Sequence, residues 1–210
     1  MADVLHRLGD ISPERVRLRP FPASAADVVE IERCENRLFE LVDGALVEKV
    51  MGHPESRLAS AIIIALGKYL EENDIGTVSG EGGMFRLPDN LVRIPDVAFA
   101  RWERFPDEES IEASVPEVTP DLAVEVLSEG NTRGEMSRKL REYFAAGVSL
   151  VWFVDPKAQS VTVYSSPTRS KVVPLEGTLD GGKVLPGFRL PVAKIFARLK
   201  RTRKGKRNGR

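Results

Sequence analysis

The segment Leu122-Ala123-Val124-Glu125-Val126-Leu127 sets one carboxylate in a stretch that is otherwise apolar at every position. Alternate residues of a strand point to opposite faces of its sheet. A run apolar on both faces therefore belongs to a central strand covered on both sides. An ionised carboxylate there is costly unless it is paired or bound to a metal. Ile94-Pro95-Asp96-Val97-Ala98-Phe99 repeats the pattern, with Asp96 as the odd residue. One such acid is often half of a structural ion pair. Two on neighbouring buried strands fit a shared cation better.

Around these strands the chain alternates its period. Leu38–Val42 and Ala45–Glu48 flank Asp43-Gly44, which predicts a hairpin. Residues 54–73 carry apolar side chains at helical spacing, with Pro54 suited to the first turn. Strands are expected over 77–87, 92–100, 121–128, 149–154 and 161–164, with a turn at Pro88-Asp89-Asn90. Helices are expected over 23–33, 132–146 and 191–199. The order mixes strands and helices without strict alternation, which predicts an α/β fold with a mixed β-sheet flanked by helices. The acidic stretch 101–120 (Glu103, Asp107, Glu108, Glu109, Glu112) reads as an exposed loop that should lie away from any nucleic-acid-binding face or move when substrate binds.

Two helical residues bear on the acids. On a helical wheel Glu55 falls within about 60° of Leu58, Ala59, Ile62, Leu66 and Tyr69, so it points with the buried stripe. An acid in the first turn also complements the helix dipole, and both readings stand. In the helix over 132–146 the inward face is Met136, Leu140, Tyr143 and Phe144, and Lys139 lies about 40° from Tyr143. Lys139 either snorkels to solvent or reaches over the sheet towards Glu125.

The 210 residues suit one domain. The expected division is an N-terminal extension over 1–35, a domain over 36–197 and a tail over 198–210. The net charge of zero conceals an asymmetry, because eight basic groups and no acid fall in residues 198–210, against 23 basic and 31 acidic residues elsewhere. Such a tail is expected to be disordered and able to attract phosphates. A solubilising role fits it equally. There is no stretch with membrane-spanning length and hydropathy and no secretory leader in residues 1–10, and Cys34 is the only cysteine, so the default location is cytoplasmic.

Ile94-Pro95-Asp96-Val97 followed by Asp121-Leu122-Ala123-Val124-Glu125-Val126-Leu127-Ser128 resembles the divided signature of PD-(D/E)xK nucleases. More narrowly, the chain resembles the Uma-family putative restriction endonucleases. The likeness starts at Phe39-Glu40-Leu41-Val42-Asp43-Gly44 and continues through Arg138-Lys139-Leu140-Arg141-Glu142-Tyr143-Phe144. It extends to Val151-Trp152-Phe153-Val154-Asp155-Pro156 and Leu185-Pro186-Gly187-Phe188, covering about residues 38–196. The resemblance implies a restriction-endonuclease-like fold with Asp96 as the metal-binding aspartate and Glu125 as the second acid. The usual lysine two positions after that acid is replaced by Leu127, and Lys139 on the next helix matches a lysine that takes its place in this branch. Glu55 stands where many relatives carry a histidine. Glu40 matches a glutamate of the opening motif whose role is open.

The implied activity is metal-dependent phosphodiester hydrolysis on nucleic acid, with DNA favoured, in a form that leaves a homodimer open. Asp96, Glu125 and the carbonyl of Val126 would hold Mg²⁺ or Mn²⁺, Lys139 would orient water or stabilise the transition state, and Glu55 would complete the shell. An all-oxygen donor set suits hard cations, and the chain has only His6 and His53 for a zinc site. The alternative is a catalytically inactive nucleic-acid-binding or interaction module on the same fold. Gly80-Glu81-Gly82-Gly83 lacks the lysine of a phosphate loop, and Ser128 lies in no nucleophile elbow.

Overall fold

The computed structural model of the protein describes residues 2–19 and 22–197; the basic tail expected over 198–210 lies outside the described residues. The chain begins with α1 (Ala2–Arg7), a 3-10 turn at Pro13–Arg15 and the short β1 (Val16–Arg17). α2 (Ala25–Glu35) precedes β2 (Phe39–Val42) and β3 (Ala45–Glu48), which form the expected hairpin. Asp43 and Gly44 take φ of 50° and 73°, the paired positive values such a two-residue turn requires. α3 (His53–Glu72) carries Pro54 in its first turn, where a missing N–H costs no helix bond.

Two expected strands each divide. Residues 77–87 form β4 (Gly76–Ser79) and β5 (Phe85–Leu87), separated by the glycine-rich segment 80–83. Residues 92–100 form β6 (Leu91–Arg93) and β7 (Val97–Arg101). The apolar run continues across the division because both halves are buried, so periodicity alone does not mark the change of sheet. Pro95, which has no N–H to give a ladder, sits at the crossing and hands the chain over at Asp96. The acidic segment leaves β7 at the end away from Asp96 and contains the short α4 (Glu108–Glu112). Trp102 anchors its start, donating from Nε1 to Asp74 at 2.6 Å.

β8 (Leu122–Val126), α5 (Arg133–Ala145) and β9 (Leu150–Asp155) make a βαβ unit with parallel strands. β10 (Ser160–Ser166), β11 (Arg169–Val173), β12 (Thr178–Asp180), β13 (Arg189–Pro191) and α6 (Val192–Phe196) complete the described chain. The main sheet has six strands in the order β11-β10-β9-β8-β7-β4, and a second has five in the order β1-β3-β2-β6-β5, with a β12-β13 ribbon beside them. Only the β8–β9 pair of the main sheet is parallel, so that sheet is mixed as expected.

Register decides where the acids go. Leu122, Val124 and Val126 share a core with Leu58, Ile62 and Leu66 of α3, on one face of the main sheet. Ala98, Ala123 and Val151 share a second core with Met136, Leu140 and Tyr143 of α5, on the other. Asp96 and Glu125 are in step with Ala98 and Ala123, so both carboxylates point to the α5 side.

Residues 2–17 are built into this arrangement. β1 pairs with β3, and Leu8 and Ile11 pack on Val42, Ala45 and Val47 of the hairpin. Gly9, at φ 90°, lies against the start of α5 so closely that a Cβ would stand 2.3 Å from the Glu135 backbone nitrogen. The stretch read from sequence as an extension therefore braces the helix that carries Lys139.

Candidate active site

Each of the two central acids has one oxygen turned towards a common point, and Lys139 Nζ also reaches that oxygen of Glu125, Oε2, at 3.2 Å. Asp96 Oδ2 accepts from the Val126 backbone N–H at 2.5 Å, and the Asp96 N–H donates to Val124 O at 3.0 Å. Glu125 Oε1 accepts from the Tyr143 hydroxyl at 2.5 Å and from Lys139 Nζ at 3.1 Å. The remaining oxygens, Asp96 Oδ1 and Glu125 Oε2, lie 2.6 and 3.3 Å from Lys49 Nζ. Two carboxylates from neighbouring strands thus converge on one cationic position.

Behind Glu125 the charges continue into the second sheet. Lys139 Nζ is also 3.1 Å from Glu40 Oε1, and Glu40 Oε2 accepts from Arg93 Nη1 at 2.6 Å. Arg93 in turn donates to Glu142 of α5 through Nε at 3.0 Å. Glu40, Arg93, Asp96, Glu125 and Lys139 are all at most 4% exposed. Three acids and three bases (Asp96, Glu125 and Glu40 against Lys49, Lys139 and Arg93) alternate through the site. Each buried charge is offset by at least one partner, as its burial demands.

The carboxyls respond differently to this setting. Burial alone would raise Glu125, but Lys139 and Lys49 hold it below its ordinary value. Burial raises Asp96 above its ordinary value, with Lys49 pulling against the rise and the Glu125 charge adding to it. Burial and then the Glu125 charge push the Tyr143 hydroxyl well above the usual tyrosine value, so it remains a donor. Burial would lower Lys49, yet Glu125 and Asp96 raise it above the ordinary lysine range.

A small cavity opens beside the acids, bounded by Lys49, Asp96, Glu125, Val126 and Lys139. Its free space of about 20 Å³ is enough for one water-sized occupant. Glu55 lines it from the first turn of α3, and its Oε2 folds back over Gly52, the residue before the helix. Glu55 thus stands both at the edge of the cavity and at the start of the helix. Arg15 also lines the cavity and grips Glu135 through Nη1 and Nη2 at 3.1 and 2.8 Å.

The structure therefore brings together Asp96, Glu125, Val126 and Lys139, with Glu55 at the edge. Lys49, Arg93 and Tyr143 were not read from sequence as site residues. Arg93 follows Leu91-Val92 and precedes Ile94, so the rule that singled out Asp96 would have found it as a charge in a buried strand. Lys49 carried only a weak signal, two positions after the buried Val47 at the open end of the hairpin. Among the described residues, no group of three or more His, Cys, Asp or Glu side chains is set around a metal position. The donor set is two carboxylates that share the Lys49 ammonium, with Lys139 behind Glu125. Its oxygen-only chemistry fits a hard divalent cation at the place of the Lys49 ammonium.

A family described as Uma2, putative restriction endonuclease, matches residues 26–193. Among solved structures, a putative nuclease belonging to DUF820 from Anabaena variabilis ATCC 29413 has the same fold. Its TM-score is 0.69 at 20% identity, over 78% of this chain and 92% of that one. No curated protein matches the chain.

Proposed function

The chain belongs to the Uma2 family of putative restriction endonucleases, and on that premise we propose that it is a Mg²⁺- or Mn²⁺-dependent endonuclease hydrolysing phosphodiester bonds of nucleic acid, DNA first. The observation that carries the reading is the convergence of Asp96 Oδ1 and Glu125 Oε2 on one cation position, at 2.6 and 3.3 Å from the Lys49 ammonium.

Asp96 and Glu125 would hold the cation, with the Val126 carbonyl as a third oxygen donor and Glu55 at the rim. A divalent ion bound there supplies a lowered pKa for adjacent water and offsets charge that develops on the scissile phosphate. The protein's own part is positioning. Val126 N–H fixes Asp96, while Tyr143 and Lys139 fix Glu125, so the two oxygens that would face the cation are set before substrate arrives. Lys139 lines the cavity beside Glu125, where it would orient the attacking water.

Mn²⁺ titration by calorimetry into the wild type, Asp96→Asn and Glu125→Gln tests the reading, with supercoiled plasmid and single-stranded DNA incubated in parallel. The expected result is metal binding and metal-dependent nicking by the wild type, both lost in each variant. Equal binding by all three folded proteins would remove the assignment.

A second reading is an inactive nucleic-acid-binding module of the same fold. One observation favours it: Lys49 and Lys139 already neutralise the two acids. Nucleic-acid binding without metal-dependent cleavage is the outcome it requires.

A further inference from the structure

Asp96 Oδ1 and Glu125 Oε2 are the oxygens that a divalent cation would take, and both face Lys49 Nζ. An ammonium and a metal ion cannot share those two oxygens, because their like charges would stand at contact in a site with little water to screen them. Lys49 is placed to yield. Its backbone N–H donates to Leu38 O at 2.9 Å, which fixes the root of the side chain. Its side chain is 8% exposed and lines the small cavity together with the exposed Val50, so the flexible four-carbon stem has a way out to solvent. Lys139 is not free in this sense. It is 2% exposed and shared between Glu40 and Glu125, so its departure would leave two buried acids short of a partner.

We propose that Lys49 is a positioning residue that fills the divalent cation's seat in the metal-free protein and is displaced from Asp96 and Glu125 when the cation binds. The proposal rests on the metal-dependent reading given above. It accounts for how two carboxylates on adjacent buried strands are kept close together before a metal arrives. It also makes metal affinity the outcome of a competition between the ion and an internal ammonium, so loss of that ammonium strengthens metal binding while it weakens the metal-free fold.

The test is Mn²⁺ titration of the full chain without nucleic acid, comparing the wild type, Lys49→Met and the double variant Lys49→Met/Asp96→Asn, together with thermal melts with and without Mn²⁺. Lys49→Met should melt lower than the wild type without metal, bind Mn²⁺ at least about tenfold tighter and gain more in Tm on its addition. The double variant should lose that gain. General structural damage would weaken metal binding, so tighter binding is a readout that a merely structural role does not produce. If Lys49→Met binds Mn²⁺ no more tightly than a wild type that does bind it, the proposal is overturned and the metal site stands. If neither cooperative, folded protein binds Mn²⁺, the metal-dependent reading falls and takes the proposal with it.

Discussion

Glu40 on β2 and Glu125 on β8 belong to different sheets and share the single ammonium of Lys139, which is 3.1 Å from Oε1 of each. The contact joins the two sheets through α5 at the point where the chain itself crosses between them, at Pro95 and Asp96. The charges that prepare the site are therefore also charges that hold the layers together.

Lys139→Met removes that link and leaves Glu40 and Glu125 buried with fewer partners. Loss of one member of a buried ion pair costs about 3–5 kcal/mol, and that is the expected fall in unfolding free energy from urea denaturation. Addition of Glu40→Gln should return part of the loss, because one of the stranded charges is then gone. A Lys139→Met variant within about 0.5 kcal/mol of the wild type, the range of ordinary surface substitutions, would mean that the shared ammonium does not hold the sheets.

Much of this was legible from the residues. The Asp43-Gly44 hairpin, the long helix after Pro54 and the strand, helix and strand over 121–154 follow from local turn chemistry and period, and Asp96 and Glu125 stood out as charges in apolar strands. The partners were harder to read. Periodicity tells which face a side chain takes, but not which distant element covers that face. Lys49 reaches Asp96 and Glu125 only because the five-stranded sheet lies beside the end of β8. The division of 92–100 between two sheets was hidden because both halves are buried. Glu40, whose role was open in sequence, proves to be the counter-ion of Arg93 and Lys139.

Acid should weaken the fold partly through Glu40. Burial would raise its carboxyl, but Lys139, Arg93 and then Lys49 hold it well below the ordinary value of 4.5. A depressed folded-state pKa contributes stability that is complete above the unfolded value and is lost as pH falls through the folded one. The Glu40 contribution should therefore be whole at neutral pH and decline progressively below pH 4.5. Glu40→Gln should be less stable than the wild type at neutral pH, and its stability should fall less steeply in acid. Denaturant midpoints measured at intervals from neutrality down to strong acid would check this, and parallel curves for the two proteins would contradict it.

Tyr143→Phe keeps the ring in the core beneath Ala123 and Val151 but removes the 2.5 Å hydrogen bond to Glu125. A hydrogen bond to a charged group is worth about 1.5–3 kcal/mol, and that is the expected loss of stability. Glu125 then keeps its charge but loses part of its orientation. If Glu125 binds the cation, Mn²⁺ affinity should fall about 10–100-fold, as it does when groups that orient metal ligands are removed. Calorimetry on the folded variant gives the number, and unchanged affinity would show that Lys139 alone sets the carboxylate.

The last prediction concerns the N-terminal brace. Arg15 holds Glu135 at 3.1 and 2.8 Å, and Thr132 Oγ1 accepts from the Glu135 N–H at 3.0 Å while itself donating to Gly9 O. Glu135 is 4% exposed, so Arg15→Ala leaves a buried carboxylate with Asn131 Nδ2 as its remaining side-chain donor, at 3.2 Å. The Arg15 side chain is 16% exposed and water can replace part of the interaction, so the expected cost is about 1–3 kcal/mol, below that of a fully buried pair. Glu135→Gln in the same background should recover part of it by removing the stranded charge. Because α5 carries Lys139, hydrogen exchange should also rise in its first turn in Arg15→Ala and leave β8 and β9 protected. Faster exchange spread evenly over the whole chain would instead mean that residues 2–17 support the fold globally, with no particular hold on the helix.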